Sequence, residues 1–491
     1  MTDSFVPEDD EYVEPKSPRT AKGAVIIGAR VVSGVIGLVA AALVLLAASF
    51  LPLPSHTMSV PSVLVAPEPA SQQLVCAGPL LSLGSASGAG ATQASSFGNP
   101  AVRSGSTAGS VKYSRLSETD NSSKVAPTLL TLGPTSPATL FSGSQSQEAQ
   151  TEDAAGLAAS ECTSGSGDSW LVGGATATGR TTLVTLSNPT GVAATATLTI
   201  YSEQGTVSAA GLEGIVVPAG AQRVISLAAF APGANSPVVR VQSRGGSLVA
   251  NLQQTTVRTL NPGGVDIVDA AAPPSTTTVI PGVDIVNSGA VFAQQGGVGY
   301  SDLVSVVRLL APGTQAAHVA ISVVPEGSTA KRVSAAQVTL KAGTVTDVPL
   351  GQFADGSYSI VVTSDRPIVG GARVSTVGSA GQSDFAWLAG ARSLTGANAV
   401  VIAPGPSARA HLANPSTAPV VVAITPTGGT ATTVTIPAGS AVSVAVDQGT
   451  TYRFTSVGAF EASIGYLGDG LIAGFTVSPP AAATQPIRVY R

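Results

Sequence analysis

Side chains able to act as bases or nucleophiles are scarce: three histidines (His56, His318, His411) and two cysteines (Cys76, Cys162). Nucleophilic catalysis needs a Ser or Cys beside a general base. No G-x-S-x-G elbow marks a hydrolase serine. His318 lies in an apolar strand pattern and His411 just before Asn414-Pro415, so both are expected as surface or half-buried strand residues. Glycoside hydrolysis needs two convergent carboxylates. The best candidates, Asp266, Asp269 and Asp284, sit in a duplicated segment, Gly264-Val265-Asp266-Ile267-Val268 and Gly282-Val283-Asp284-Ile285-Val286. Duplication there favours a structural role. Asp266 and Asp269 offer oxygen ligands to calcium, but no D-x-D-x-D-G loop accompanies them, so no metal is expected. Gly296-Gly297-Val298-Gly299 lacks the Lys-Ser/Thr of a phosphate loop. Neither Cys lies in a C-x-x-C context, and an isolated pair in an oxidising compartment is most simply a disulfide, so Cys76–Cys162 is the one covalent site expected. No catalytic residue, cofactor or metal site is expected.

What positions these residues starts at the membrane. Val31 to Leu51 is an uncharged apolar run. As a helix it would span about 31 Å, matching a hydrocarbon core of roughly 30 Å. Lys16, Arg19, Lys22 and Arg30 precede it, and the first charge after it is Glu68. Basic residues stay on the cytoplasmic side, which places 1–30 inside and the remainder outside. The run is longer than a signal-peptide h-region and follows an acidic segment, so an uncleaved anchor over 31–53 is expected. Only 11% of the residues are charged. That excludes nucleic acid, which would need a basic stripe.

Along the chain the expected order is a disordered tail (1–30), the anchor (31–53), a Pro-rich stalk (54–72) and a Cys-bracketed Ser/Gly/Ala-rich region with a few strands (73–169). Within that region, Ser82 to Ser110 is so poor in large side chains that a flexible loop is expected. Beyond it, Ala194, Ala196, Leu198 and Ile200 alternate with Thr195, Thr197, Thr199 and Tyr201, the period-2 pattern of a half-buried strand. The sequence then repeats itself. Trp170-Leu171 has a counterpart in Trp387-Leu388, Asn188-Pro189 in Asn414-Pro415, and Pro218-Ala219-Gly220 in Pro437-Ala438-Gly439, with Ala342-Gly343 as a degenerate copy. Asn-Pro starts a turn, and Gly in Pro-Ala-Gly is free to take positive φ. Equivalent placement of Trp170 and Trp387 suggests core packing. The fold expected is all-β, tandem immunoglobulin- or fibronectin-like sandwich modules at 170–260, 285–390 and 395–480, with a connector at 261–284 and a C-terminal tail at 481–491.

On the anchor, Cys76, Trp170, Asn188-Pro189, Val217 to Gly220 and their later copies, the chain resembles an actinobacterial family of membrane-anchored exported proteins of unknown function. The resemblance implies a cytoplasmic tail, a single anchor, repeated β modules and a link to envelope glycan assembly; it carries no functional residues. The expected function is a non-enzymatic envelope protein that binds or scaffolds an envelope protein or wall glycan. The alternative is an accessory subunit of a membrane glycosyltransferase or another wall-assembly enzyme, and a wall hydrolase is the least favoured reading. No nucleic acid and no small-molecule cofactor are expected.

Overall fold

The computed structural model describes residues 34–46, 62–65, 71–83, 94–118, 120, 125–136, 138–327, 332–480 and 487–490. The expected cytoplasmic tail lies outside these. Of the apolar run, 34–46 is a helix with exposed side chains, and the rest of the run lies outside the described residues. No helix among the described residues is long and apolar enough to cross a membrane. In the same unit, Ser62–Val65 pairs antiparallel with Ile487–Tyr490, so parts of the expected stalk and C-terminal tail are strands.

Residues 66–486 form the second unit, all β apart from short helical turns and the helix Ser288–Gln295. It contains four copies of one strand plan. In the fourth, one sheet runs Leu394–Val401, Thr451–Gly468, Val420–Pro426, Thr432–Ile436, and the other Leu471–Thr476, Thr451–Gly468, Arg409–Asn414, Ser440–Ala445. The 18-residue strand Thr451–Gly468 passes from one sheet to the other, and buried side chains from both sheets make one core. The third copy repeats this between Ser275–Ile285 and Ser383–Ala389, with the 22-residue strand Gly356–Val377 crossing between sheets beside Pro367. In the second copy, Asp168–Val172 to Asn261–Val268, the crossing strand is broken at Gly245-Gly246 into Val238–Arg244 and Val249–Arg258.

The first copy lies where a flexible loop and a polar stretch were expected. Gln72–Val75, Thr128–Leu132 and Val111–Arg115 form one sheet; Ala155–Cys162, Phe141–Gln150 and Ala101–Ser106 form the other. The order matches the other three copies without their fourth strands. Small side chains here mark close packing rather than disorder: a Cβ on Gly143 would lie 2.4 Å from Leu130 Cδ1. The expected loop is ordered at Ala94–Ser96 and Ala101–Ser106, while 84–93 lies outside the described residues. The expected connector 261–284 is drawn into the sandwiches, as Asn261–Val268 closes the second copy and Ser275–Ile285 opens the third.

The repeated turn motifs hold equivalent places. Asn188 Nδ2 donates to Val192 O and Val217 O, and Asn414 Nδ2 to Ala418 O and Ile436 O, so each Asn ties its turn to the strand two connections later. Gly220, Gly343 and Gly439 take φ of 62°, 67° and 64°, a left-handed turn that a Cβ would strain. The tryptophans are not equivalent: Trp170 is in the first strand of its copy and Trp387 in the last strand of its own. Both are buried.

The last strands of the four copies, Ala155–Cys162, Asn261–Val268, Ser383–Ala389 and Leu471–Thr476, pack around a common centre, each against the next and the fourth against the first. Ser144 Oγ to Val401 O (2.7 Å) and Val401 N to Ser142 Oγ (3.2 Å) help seal the closing seam.

Candidate functional site

Each last strand is the edge of its sheet, so its outer N–H groups lack a strand partner, and the ring buries them. A buried donor left unpaired costs about 1–3 kcal/mol. Carboxylates supply the acceptors. Asp384, in the third copy, accepts from Leu157 N (2.9 Å) of the first, Val265 N (3.3 Å) of the second and Ile472 N (3.1 Å) of the fourth. Asp266 accepts from Trp387 N at 2.6 Å and Ile267 N at 2.9 Å. Asp269 accepts from Glu161 N at 2.8 Å and Asn251 Nδ2 at 2.7 Å, and Glu161 from Ser478 N at 3.0 Å. Burial drives these acids toward their neutral forms against the pull of the N–H groups: Asp384 and Glu161 to about 8, Asp269 to about 7, and Asp266 well above its ordinary range. They stitch the ring together. Among the described residues no group of three or more His, Cys, Asp and Glu could hold a metal ion.

The seam between the third and fourth copies carries His411, expected as a surface or half-buried strand residue but fully buried. The reason is architectural: the outer face of its sheet meets the neighbouring sandwich instead of water, so Arg409–Asn414 is buried on both faces. Its Nδ1 lies 2.7 Å from Glu326 Oε2 and its Nε2 3.6 Å from Asp284 Oδ2. Burial alone would depress the imidazole pKa, but Glu326, then Asp284, hold it above the ordinary value. His318, by contrast, is an exposed strand residue, with Nδ1 3.1 Å from Thr339 Oγ1.

The seam between the second and third copies is built from arginines that sequence reasoning did not single out. Arg308 donates from Nε and Nη2 to Asp347 (2.8 and 2.9 Å) and from Nη1 and Nη2 to Gly174 O, Pro237 O and Asn235 O across the seam. Asp302 collects Arg180, Arg258 and Arg373 at 3.0, 2.9 and 3.2 Å. Burial would raise both Asp pKa values, but the guanidiniums hold them below the ordinary range. The signal was there in outline: in a chain with 11% charged residues, Val306-Val307-Arg308-Leu309-Leu310 places a cation inside an apolar strand. Arg180, Arg308, Arg373, Asp302 and Asp347 line an open cleft of about 340 Å³ together with Trp387, whose ring lies under the Arg308 guanidinium, 4.3 Å from the centroid.

Cys76 and Cys162 are joined in a disulfide that links the end of the first strand of the first copy to the end of its last. It borders a second cleft, of about 270 Å³, lined by Glu161, Arg392 and Ser478.

A family model, "Family of unknown function (DUF5719)", matches residues 116–447, from the middle of the first sandwich into the fourth. No match was found among curated proteins or among solved structures.

Proposed function

This chain belongs to the DUF5719 family of unknown function, and we propose that it is a non-enzymatic envelope protein of an actinobacterial cell. In this reading Val31 to Leu51 anchors it, 1–30 lies inside, and the sandwiches, immunoglobulin- or fibronectin-like modules, bind or scaffold wall glycan or another envelope protein outside. One observation carries the reading. The central acids Asp384 and Asp266 and the seam arginine Arg308 are committed to backbone groups of neighbouring sandwiches, so they hold the ring together instead of standing free for chemistry. Glu161 is the one carboxylate lining the cleft beside the disulfide. In the arginine-lined cleft, guanidiniums hold both Asp302 and Asp347 below the ordinary range against burial. A glycan hydrolase needs two carboxyl groups, one of them with a raised pKa. The disulfide itself is in keeping with an oxidising compartment.

The accessory-subunit reading draws support from an apolar cleft of about 590 Å³ beside the helix Ser288–Gln295, where Phe292 is 62% exposed. In-cell crosslinking of the tagged chain followed by mass spectrometry separates the two readings. Capture of wall glycan with no protein partner supports the scaffold; reproducible capture of a glycosyltransferase supports the accessory subunit. Turnover of purified wall glycan by the isolated chain would overturn the non-enzymatic reading.

A further inference from the structure

Ring closure builds a cleft that no single sandwich contains. The cleft beside the disulfide is walled by Glu161 of the first sandwich, Val249 of the second, Ala399 of the fourth, and Arg392 from the connection between the third and fourth. The backbone leading to that arginine is pinned. Gly390 N donates to Gly370 O at 2.9 Å and Ala391 N to Val279 O at 2.8 Å, and Leu394–Val401 beyond it pairs with Thr451–Gly468. Arg392 is thus fixed in the cleft wall, half-buried.

The arginines of the larger cleft are committed to aspartates and carbonyls; Arg392 is not. Its guanidinium makes no hydrogen bond and no ion pair among the described residues. The one charged group acting on it is Glu161, which lies beyond ion-pair distance. Glu161 is also the only carboxyl in the lining. Burial, with Asp269 nearby, raises its pKa to about 8 against the opposing pull of Ser478 and Arg392. At neutral pH the lining therefore carries one positive charge and no negative one. Hydroxyls share it. Ser169 is buried, and its Oγ makes no hydrogen bond among the described residues. Ser142 Oγ accepts from Val401 N at 3.2 Å, which leaves its proton to donate. Thr163 and Ser164 add two more hydroxyls.

We propose that this cleft binds the carboxylate of an acidic sugar. An uncommitted guanidinium fork matches a planar carboxylate through two parallel hydrogen bonds, and a single positive charge balances a monoanion. The serine and threonine hydroxyls are partners for sugar hydroxyls, and a cleft of about 270 Å³ suits one sugar ring better than a larger ligand. The inference rests on the wall-glycan reading for its class of ligand and narrows that class to glycan with acidic residues. Binding in solution tests the cleft apart from what crosslinking captures in cells.

The test is calorimetric titration and thermal unfolding of the purified full-length chain with glucuronate, at ionic strength held constant with NaCl. Glucose and the dipeptide Ala-Ala serve as the uncharged-sugar and peptide-carboxylate arms. A saturable rise in Tm with glucuronate is expected, because a ligand that binds the folded state stabilises it. Arg392→Gln should weaken binding about tenfold or more, the loss of a charge-assisted pair. Arg366→Gln, which removes an exposed guanidinium outside this cleft, should leave it unchanged. Wild-type binding should weaken as pH rises through about 8, where ionised Glu161 offsets Arg392. Glu161→Gln, neutral at every pH, should bind as well as the wild type at neutral pH and lose that decline. Far-UV circular dichroism checks that each variant folds. A glucuronate response no larger than that of matched NaCl, or one undiminished in Arg392→Gln, overturns the proposal and leaves the scaffold reading with neutral glycan or protein as its ligand. Equal or tighter binding of glucose shows that the carboxylate is not what is recognised, and equal or tighter binding of Ala-Ala overturns the assignment to a sugar.

Discussion

The first and fourth sandwiches share a strand plan and differ in what holds them. The fourth has eight strand segments and an aromatic core, with Phe454, Phe460 and Tyr466 fully buried. The first has three strands per sheet and a core of Leu74, Cys76, Leu130, Leu132, Phe141 and Cys162. What its apolar core lacks is supplied by a disulfide and by side chains bonded to backbone. Gln145 accepts from Gly78 N at 3.1 Å and donates to Gly78 O at 2.7 Å; Gln147 accepts from Leu80 N at 3.0 Å and donates to Phe97 O. One topology thus tolerates two chemistries of stabilisation, and the smaller core is the one that carries a staple.

The largest effect should come from removing that staple. Replacing Cys76 and Cys162 together by Ser frees a loop with a sequence separation of 86. In the loop-closure model this costs about 4.6 kcal/mol, less if the unfolded chain retains structure. Hydrogen exchange should show protection lost first over 72–162, while Thr451–Gly468 stays protected; uniform loss would mean the two sandwiches are not stabilised separately. Next is Gln145→Ala, which leaves both backbone groups of Gly78 without their partner, at about 1–3 kcal/mol for each group that finds no water. Denaturant midpoints measure it, and a cost below about 0.5 kcal/mol would show that the buried glutamines are dispensable. In the fourth sandwich Phe460→Leu should cost only about 1 kcal/mol, since a core of that size can repack around a hydrophobic exchange.

The same contrast explains what was legible in the sequence. Outer strands such as Ala194–Ser202 alternate between buried and more exposed positions, and the period-2 pattern found them. Inner strands do not: Ser383–Ala389 is buried at every position, because one face meets its own core and the other the ring centre. A polar residue there, such as Asp384, reads as surface in a sandwich and is central in a ring. The turn motifs were readable because Asn188, Asn414 and the positive-φ glycines act locally. Trp170 and Trp387 misled because matching neighbours stood in different strands. The first sandwich escaped notice because its Ser and Gln side chains do by hydrogen bonding what the pattern sought in leucines. Of the arginine cleft the sequence offered single cations in apolar strands, and their convergence is a product of ring closure.

The smallest effect concerns the pH dependence of the fourth sandwich's seam. His411 is held above its ordinary pKa by Glu326 and Asp284, with Arg409 opposing. A raised histidine pKa contributes stability that is fully present below the unfolded value of about 6.5 and lost as pH rises through the folded value. Burial also raises the Asp284 pKa, so its contribution likewise falls with rising pH. The ring acids Asp384, Glu161 and Asp269, raised by burial to about 8, 8 and 7, make denaturant stability fall with rising pH from about pH 4 in wild type and seam variant alike. On top of that shared slope, the His411 contribution should hold between pH 5 and 6.5 and be lost above that range, by about 1.4 kcal/mol for each unit the histidine is displaced. In His411→Gln, Glu326 and Asp284 have no imidazolium to face. Rising pH must then ionise Asp284 with no imidazolium beside it, so the variant should lose stability more steeply than the wild type between pH 5 and 6.5. A variant whose profile superimposes on the wild type would show that the imidazole is neutral in the fold and that this seam is held by its apolar contacts, Val279, Val324, Val361, Ala413 and Ala441.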